Sequence, residues 1–299
     1  MALVSTITPG WVASRLPPRP ARAHKGDFGR VLVVGGSIDY PGAPLLVGLG
    51  AMRAGAGLVR VAAADAVVGH IAGSVPELTW LSLDEEAPGL IAPGGWRRIA
   101  TEASHVDALV IGPGLGRQPA TLRRVRQLIP TLRRPAVIDA DGLTALSETD
   151  RWWRGLSPSL VLTPHPGEFA RLTGRSAPDS DDDEARAEAA AEAAASWGLT
   201  VVLKGANTVV AVPDGTVLRS PVASPALATA GSGDILAGVI GALLAGGADP
   251  LAAAVCGVAI HGGAGLLAEQ RIGRTGVVAR DIAALLPEVI EGLRSQPAS

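Results

Sequence analysis

The chain has 299 residues with 26 basic and 28 acidic side chains, and a formal net charge of -2 gives no overall field for a nucleic acid. One cysteine, Cys256, excludes an internal disulfide framework and a multi-cysteine zinc site, and aromatics at 3% leave few platforms for stacked bases. The length suits one large α/β domain, and the predicted organisation is an N-terminal arm over 1–24 and a single domain over 25–299.

The arm is rich in Pro and Arg around Arg15-Leu16-Pro17-Pro18-Arg19-Pro20, with one short helix expected after Thr8-Pro9. Met1 to Gly10 lacks the basic and apolar regions of a secretion signal, so a cytoplasmic enzyme is expected. Val31-Leu32-Val33-Val34 then runs into Gly35-Gly36, and Gly42 to Gly55 predicts a small-residue helix before a second strand at Leu58 to Val61. The pattern repeats. Ala108 to Ile111 leads into Gly112-Pro113-Gly114-Leu115-Gly116 and a basic helix over about 120–132. Ala136 to Ile138 leads into Asp139-Ala140-Asp141, Leu160 to Leu162 into Thr163-Pro164-His165-Pro166-Gly167-Glu168, and Thr200 to Leu203 into Lys204-Gly205-Ala206-Asn207-Thr208. Apolar strands that each end in a Gly, Pro, Asp or His cluster predict a mostly parallel sheet with ligand-binding loops at its carboxyl edge. Thr208 to Val212 and Thr216 to Arg219 flank Pro213-Asp214-Gly215 as a hairpin, which adds an antiparallel edge.

Helices follow over 232–245, 250–269 and 279–294. The apolar stretch Ile235 to Ala268 is broken by Asp249-Pro250, His261 and glycines, so two buried helices are expected rather than a membrane span. Cys256 reads as a buried inert thiol. The acidic cluster Asp179 to Glu184 reads as a solvated helix start, with Ser180 and Asp183 spaced as a capping pair. The small-residue faces at Gly42 to Gly57 and Gly262 to Gly265 would allow subunits to pack closely.

Chemistry concentrates at Ala230-Gly231-Ser232-Gly233-Asp234, which opens a buried helix. Glycines and a helix N-terminus together make a phosphate cradle. Asp234 has two readings: a base that takes a proton from an attacking hydroxyl, or an N-cap. No Walker A pattern is present, since Lys204 precedes its glycine, and Gly112 to Gly116 lacks dinucleotide-fingerprint spacing. Lys204 is a candidate counter-charge for phosphates. His165 and Glu168 are too few for a dedicated zinc site. Asp139 and Asp141 end a strand at the ligand edge or act as caps. His70, His105 and His261 read as structural, and serine-nucleophile motifs are absent.

In order along the chain, Lys25-Gly26-Asp27-Phe28-Gly29-Arg30, Gly112 to Gly116, Thr163 to Glu168, Lys204 to Thr208 and Ala230 to Asp234 resemble the NAD(P)H-hydrate dehydratase family of the ribokinase-like superfamily, over about residues 24–294. The segment before His24 resembles that of stand-alone bacterial members. The resemblance implies a three-layer α/β/α fold and repair of hydrated NADH and NADPH in the S form, coupled to hydrolysis of ADP or ATP, with ADP the bacterial preference. It implies that Ala43, Gly114 or Gly116, His165 and Asp234 contact the hydrated cofactor. Lys204, Gly205, Ala206, Asn207, Thr208, Gly231, Ser232 and Gly233 would contact the adenine nucleotide, and Asp234 would be catalytic. Magnesium is implied by the polyphosphate, with Glu168 acting through water. A homo-oligomer, a tetramer on the family's pattern, and a separate epimerase acting alongside are implied as well. Two competing readings are a vitamin or sugar kinase of the same superfamily and a non-catalytic nucleotide-binding module. His165, where such kinases typically carry Asn, weighs against the first, and the presence of Asp234 against the second.

Overall fold

A computed structural model describes residues 3–296. The strands are β1 (Val4–Thr6), β2 (Arg30–Val34), β3 (Leu58–Ala64), β4 (Thr79–Leu83), β5 (Glu85–Ala87), β6 (Leu90–Ile91), β7 (Ala108–Ile111), β8 (Ala136–Ile138), β9 (Leu160–Leu162), β10 (Thr200–Leu203), β11 (Val209–Ala211) and β12 (Val217–Arg219). The first helices are α1 (Pro9–Ala13), α2 (Ala43–Arg53), α3 (Asp65–Ile71), α4 (Pro93–Glu102), α5 (Pro119–Leu128) and α6 (Asp141–Ser147). They are followed by α7 (Pro166–Thr173), α8 (Asp183–Trp197), α9 (Ser232–Ala245), α10 (Pro250–Arg271) and α11 (Ala279–Arg294).

Ten strands form one sheet in the order β1-β12-β11-β10-β9-β8-β7-β2-β3-β4, in which only β11 runs against the rest. β5 and β6 form a separate hairpin. The central strands β7, β8, β9 and β10 are buried at every residue, which explains their unbroken apolar runs: helices cover both faces. The chain winds outward from β2 through β3 to β4, then returns beside β2 with β7 and winds the other way. The β2/β7 junction is therefore a topological switch point, and a crevice opens at the carboxyl ends there.

The hairpin β11–β12 does not end the sheet. Val4–Thr6 pairs in parallel with Val217–Arg219 outside it, and Ile7, Val12 and Leu16 are buried, so the described part of the predicted arm contributes to the sheet edge and core. Three residues are too short a run to show as a strand in the sequence.

The small-residue faces pack inside the chain. A Cβ on Gly238 of α9 would lie 2.1 Å from the carbonyl oxygen of Val47 in α2, and one on Gly50 would lie 2.5 Å from that of Ile235. Bare backbone at these points lets α2 lie against α9, which brings Ala43 and Asp234, near the two helix N-termini, to the same sheet edge. Gly262 and Gly265 likewise face Val222 and Leu227. Gly50, Gly238, Gly262 and Gly265 thus pack against neighbours within one subunit. Pro250–Arg271 is long and apolar enough to cross a membrane, but most of it is buried in the fold. Cys256 is buried, and its thiol is pushed up to about 12 by burial.

Candidate active site

The catalytic-edge loops converge on Lys204. Its Nζ lies 2.7 Å from Asp139 Oδ1 and 3.8 Å from Glu168 Oε2. Asp139, only 2% exposed at the end of β8, also accepts from Thr163 Oγ1 at 2.9 Å. Lys204 is thus not a solvent-facing strand end. Burial pulls its pKa down, but Asp139 and Glu168 together hold it above the ordinary lysine value. Glu168 is pushed up by burial and by Asp139, against the pull of Lys204.

Asp234 completes the cluster. Burial first, then the Asp139 charge, raise its carboxyl to about 7 against the opposing pull of Lys204. It sits at the third position of α9, whose N-cap is Gly231 at φ 83° with no side-chain cap bond. The N-cap reading of Asp234 therefore fails, because its side chain closes no helix end. Gly231 is required twice over: by its left-handed φ, and because a Cβ there would lie 2.3 Å from Leu46 Cδ1. The amide of Ser232 donates to Thr229 O at 3.2 Å, while the amides of Gly233 and Asp234 find no acceptor among the described residues. Two free N–H groups at a positive dipole end are the anion donors of the cradle. Ser232 Oγ lies 3.0 Å from His261 Nε2, and burial lowers the imidazole to about 4, so it is neutral at physiological pH.

Beside the cradle opens a cleft of about 630 Å³. Lys204, Gly205, Ala206, Thr208, Ser232, Gly233, His165 and His261 face it, and Val222, Pro225, Leu227 and Leu236 give it an apolar wall. Such a wall suits a planar base without aromatic stacking. The wall was invisible in the sequence, because the 221–229 segment carries no motif. Asn207 turns away. At φ 51° it bends the loop, its amide donates to Val222 O at 3.0 Å, and its Nδ2 donates to Asp183 Oδ2 at 2.8 Å.

A residue missed from the sequence, Arg186 of α8, holds that loop from beneath. Its guanidinium is almost fully buried, donates to the carbonyls of Leu203, Lys204 and Ala206, and pairs with Asp183 at 3.3 Å. Asp183 also lies 3.7 Å from Arg219. The acidic cluster is therefore not merely a solvated helix start, and its cap is Asp182, which accepts from the Ala185 amide at 2.9 Å, not the Ser180/Asp183 pair.

His165 is the N-cap of α7. Its Nδ1 accepts from the amides of Gly167 (3.0 Å) and Glu168 (3.4 Å), and Glu168 Oε2 accepts from the His165 amide at 2.9 Å. Two donors on Nδ1 fix the neutral Nε2–H tautomer, and burial with the nearby Lys204 and Arg171 charges lowers its pKa. Half its side chain is exposed toward the cleft.

Ala43, Gly114 and Gly116 gather at the β2/β7 crevice. Gly36 donates to Pro113 O at 2.9 Å, tying the two loops together, and a Cβ on Gly114 would lie 2.8 Å from that of Ala43. The Gly116 amide donates to Asp141 Oδ2 at 2.9 Å. Among the described residues no group of three or more His, Cys, Asp and Glu is arranged to cage a metal. His70 Nδ1 contacts Ala66 O at 2.6 Å on the surface, and His105 is exposed.

The family model described as NAD(P)H-hydrate dehydratase matches residues 31–288. The chain is 43% identical over 290 residues to the bifunctional NAD(P)H-hydrate repair enzyme of Moorella thermoacetica, covering 97% of this chain and 54% of that protein. It thus spans about half the length of that relative, as it does for the enzymes of the same name from Thermofilum pendens and Salinibacter ruber. It is 39% identical over 296 residues to the ADP-dependent (S)-NAD(P)H-hydrate dehydratase of Xanthomonas campestris, with 97% of each chain covered. The ADP/ATP-dependent NAD(P)H-hydrate dehydratase of Bacillus subtilis, co-crystallised with ATP and Mg2+, superimposes with a TM-score of 0.81 at 33% identity, covering 97% of this chain and 99% of that one. A ribokinase-like superfamily protein of Enterococcus faecalis superimposes at 0.79 with 23% identity, covering 98% of this chain and 97% of that one, and shares the fold. The chain has the ribokinase-like fold and belongs to the NAD(P)H-hydrate dehydratase family.

Proposed function

We propose that this chain returns hydrated NADH and NADPH, in the S form, to the reduced cofactor at the expense of ADP or ATP. The observation that carries this reading is Asp234: a carboxylate with its pKa at about 7, on a helix N-terminus with free amides, beside a nucleotide-sized cleft. A base poised near the working pH is what abstraction of a hydroxyl proton requires.

The nucleotide occupies the cleft, its base against Val222, Pro225, Leu227 and Leu236 and its phosphates at the Gly233 and Asp234 amides and Lys204. The hydrated nicotinamide enters from the crevice at Ala43, Gly114 and Gly116, with His165 alongside. Asp234 takes the proton of the ring hydroxyl. The oxygen attacks the terminal phosphoryl group, and the shortened nucleotide leaves. Lys204 and the two amides neutralise the charge spread over the transferring oxygens. The ring nitrogen's electron pair then expels phosphate, and loss of a proton from the neighbouring ring carbon restores the double bond. With no cage for a metal among the described residues, and with Asp139 and Glu168 already engaged by Lys204, the donor set fits magnesium that arrives on the polyphosphate and keeps most of its water. Glu168 would hold it through water, and the ion would supply charge neutralisation.

The bifunctional relatives carry further chain beyond the half matched here. On this reading, the chain works together with an epimerase, as a homo-oligomer in the cytoplasm. The test is incubation with hydrated NADH, Mg2+ and ADP or ATP, following reduced-nicotinamide absorbance. Recovery that depends on nucleotide supports the reading. No recovery, with phosphorylation of a hydroxymethyl-pyrimidine or thiazole instead, makes the protein a kinase.

A further inference from the structure

Two arginines flank the crevice without a role in the steps above. Arg117 follows Gly116 directly. Its Nε is 3.2 Å from Asp141 Oδ1, while its two Nη groups have no partner among the described residues and its side chain is 65% exposed. Asp141, at only 12% exposure, is committed on both oxygens: one to Arg117, the other to the Gly116 amide at 2.9 Å. The preceding Ala140 adopts φ 49°, a left-handed backbone that a non-glycine residue rarely takes, at the turn that leads into Asp141. Strain, a nearly buried carboxylate and a loop amide thus converge on one guanidinium, held by its inner nitrogen with its outer fork free. On α7, one turn beyond Glu168 and so on the same helix face, Arg171 is exposed and has no ion-pair or hydrogen-bond partner among the described residues. Arg117 is thus tied to the Gly116 loop, and Arg171 lies on the helix that His165 caps.

We infer that Arg117, oriented by Asp141, and Arg171 form a subsite for a phosphate group of the hydrated dinucleotide substrate. This rests on the function proposed above and extends it. The hydrated ring alone is uncharged at its hydroxyl, so the base at Asp234 gives no grip on the rest of the molecule. A planar guanidinium with two free amino groups matches a phosphate in two-point contact, and Arg171 adds a second charge. The phosphate has two sources in this substrate class: the diphosphate bridge common to both hydrates, or the extra ribose phosphate of the NADPH form.

The experiment measures steady-state kinetics of Arg117→Ala, Arg117→Lys and Arg171→Ala with hydrated NADH and hydrated NADPH at saturating ADP, alongside ADP affinity. Loss of a charge-assisted bond predicts a KM for the hydrate raised about 10–100-fold in Arg117→Ala, a smaller rise in Arg171→Ala, and ADP affinity within twofold of wild type. Arg117→Lys keeps the charge but loses the fork, so its KM falls between those of wild type and Arg117→Ala. An equal rise for both hydrates assigns the diphosphate, and a rise for the NADPH hydrate alone assigns the ribose phosphate. Unchanged KM for both hydrates in Arg117→Ala and Arg171→Ala overturns the inference while leaving the dehydratase reading intact. A wild-type protein inactive on both hydrates fails that reading instead. Arg171 carries no structural burden, so its variant remains informative if Arg117→Ala disturbs the loop.

Discussion

Asp234→Asn separates the chemical role of this carboxylate from every structural one. The side chain caps nothing, so the amide substitution removes no helix-end bond. What it removes is a charge held in an unfavourable place. The carboxyl is raised from an ordinary 3.8 to about 7, and at about 1.4 kcal/mol per pKa unit the ionised form costs the fold up to roughly 4 kcal/mol. Loss of the favourable interaction with the helix N-terminus returns about 0.5–1 kcal/mol, so burial and the neighbouring carboxylates win. The sign follows from proton binding. Between pH 4 and 7 the folded state holds the proton that the unfolded state has lost, so the contribution of Asp234 to stability falls as pH rises through that window. The variant loses none at this site. At pH 8 it is therefore expected to be more stable by about 3 kcal/mol, which is roughly 5 °C or more in Tm, and the gain should shrink below pH 7 and vanish below pH 4. Turnover should move the opposite way, falling on the order of 10²–10⁴-fold, with ADP affinity retained or tightened. The assays are thermal melts across pH, nucleotide titration, and recovery of reduced-nicotinamide absorbance. A folded, nucleotide-binding variant with turnover within a few-fold of wild type would remove Asp234 from the mechanism. A variant less stable at pH 8 would refute the electrostatic reasoning.

In the wild type, kcat/KM should fall about tenfold per pH unit below about 7, as the free-enzyme base takes up its proton. Lys204→Met removes the one cation among Asp139, Glu168 and Asp234, so this acid limb should move to higher pH and ADP affinity should drop at least tenfold. A profile unmoved from wild type would exclude Lys204 from the electrostatics. The same variant should lose about 3–5 kcal/mol at pH 8, and less toward pH 5 as the stranded carboxylates become neutral. His261, lowered to about 4, holds fewer protons folded than unfolded between pH 6.5 and 4, so its contribution to stability falls there as pH drops, opposite in sign to that of Asp234. His261→Gln keeps a partner for Ser232 Oγ and should flatten that acid loss, as read by denaturant melts at pH 7 and pH 5. Arg186→Met should cost about 2–4 kcal/mol and weaken ADP binding, because the carbonyls of Leu203, Lys204 and Ala206 lose their donor. Unaltered ADP affinity in a destabilised Arg186→Met would show that the loop holds its shape without it.

The fold and its ligand edge were legible because the central strands are buried on both faces. Such strands must be apolar throughout, and each must end in residues that turn the chain, so Val31 to Val34, Ala108 to Ile111 and Thr200 to Leu203 announced themselves with the loops that follow. What stayed hidden depends on partners distant in sequence. Nothing beside Asp139 announces its contact with Lys204, Asp234 is an ordinary carboxylate until burial and the Asp139 charge raise it, and nothing near position 186 foretells a guanidinium that takes three carbonyls from a loop some twenty residues away. The neighbour of the small-residue face of α2 was hidden for the same reason. Glycine spacing shows that a helix is approached closely but not by what, and here the neighbour is α9 of the same chain.

That internal contact bears on the site. Because bare backbone at Gly50 and Gly238 presses α2 onto α9, the N-terminus carrying Ala43 is fixed relative to the one carrying Gly233 and Asp234. On the proposed function, a substrate held at the first and a phosphate held at the second would be brought together by packing in the core rather than by a moving loop. Effective concentration of this kind, set in advance by rigid elements, lets a single carboxylate near neutrality carry the proton transfer.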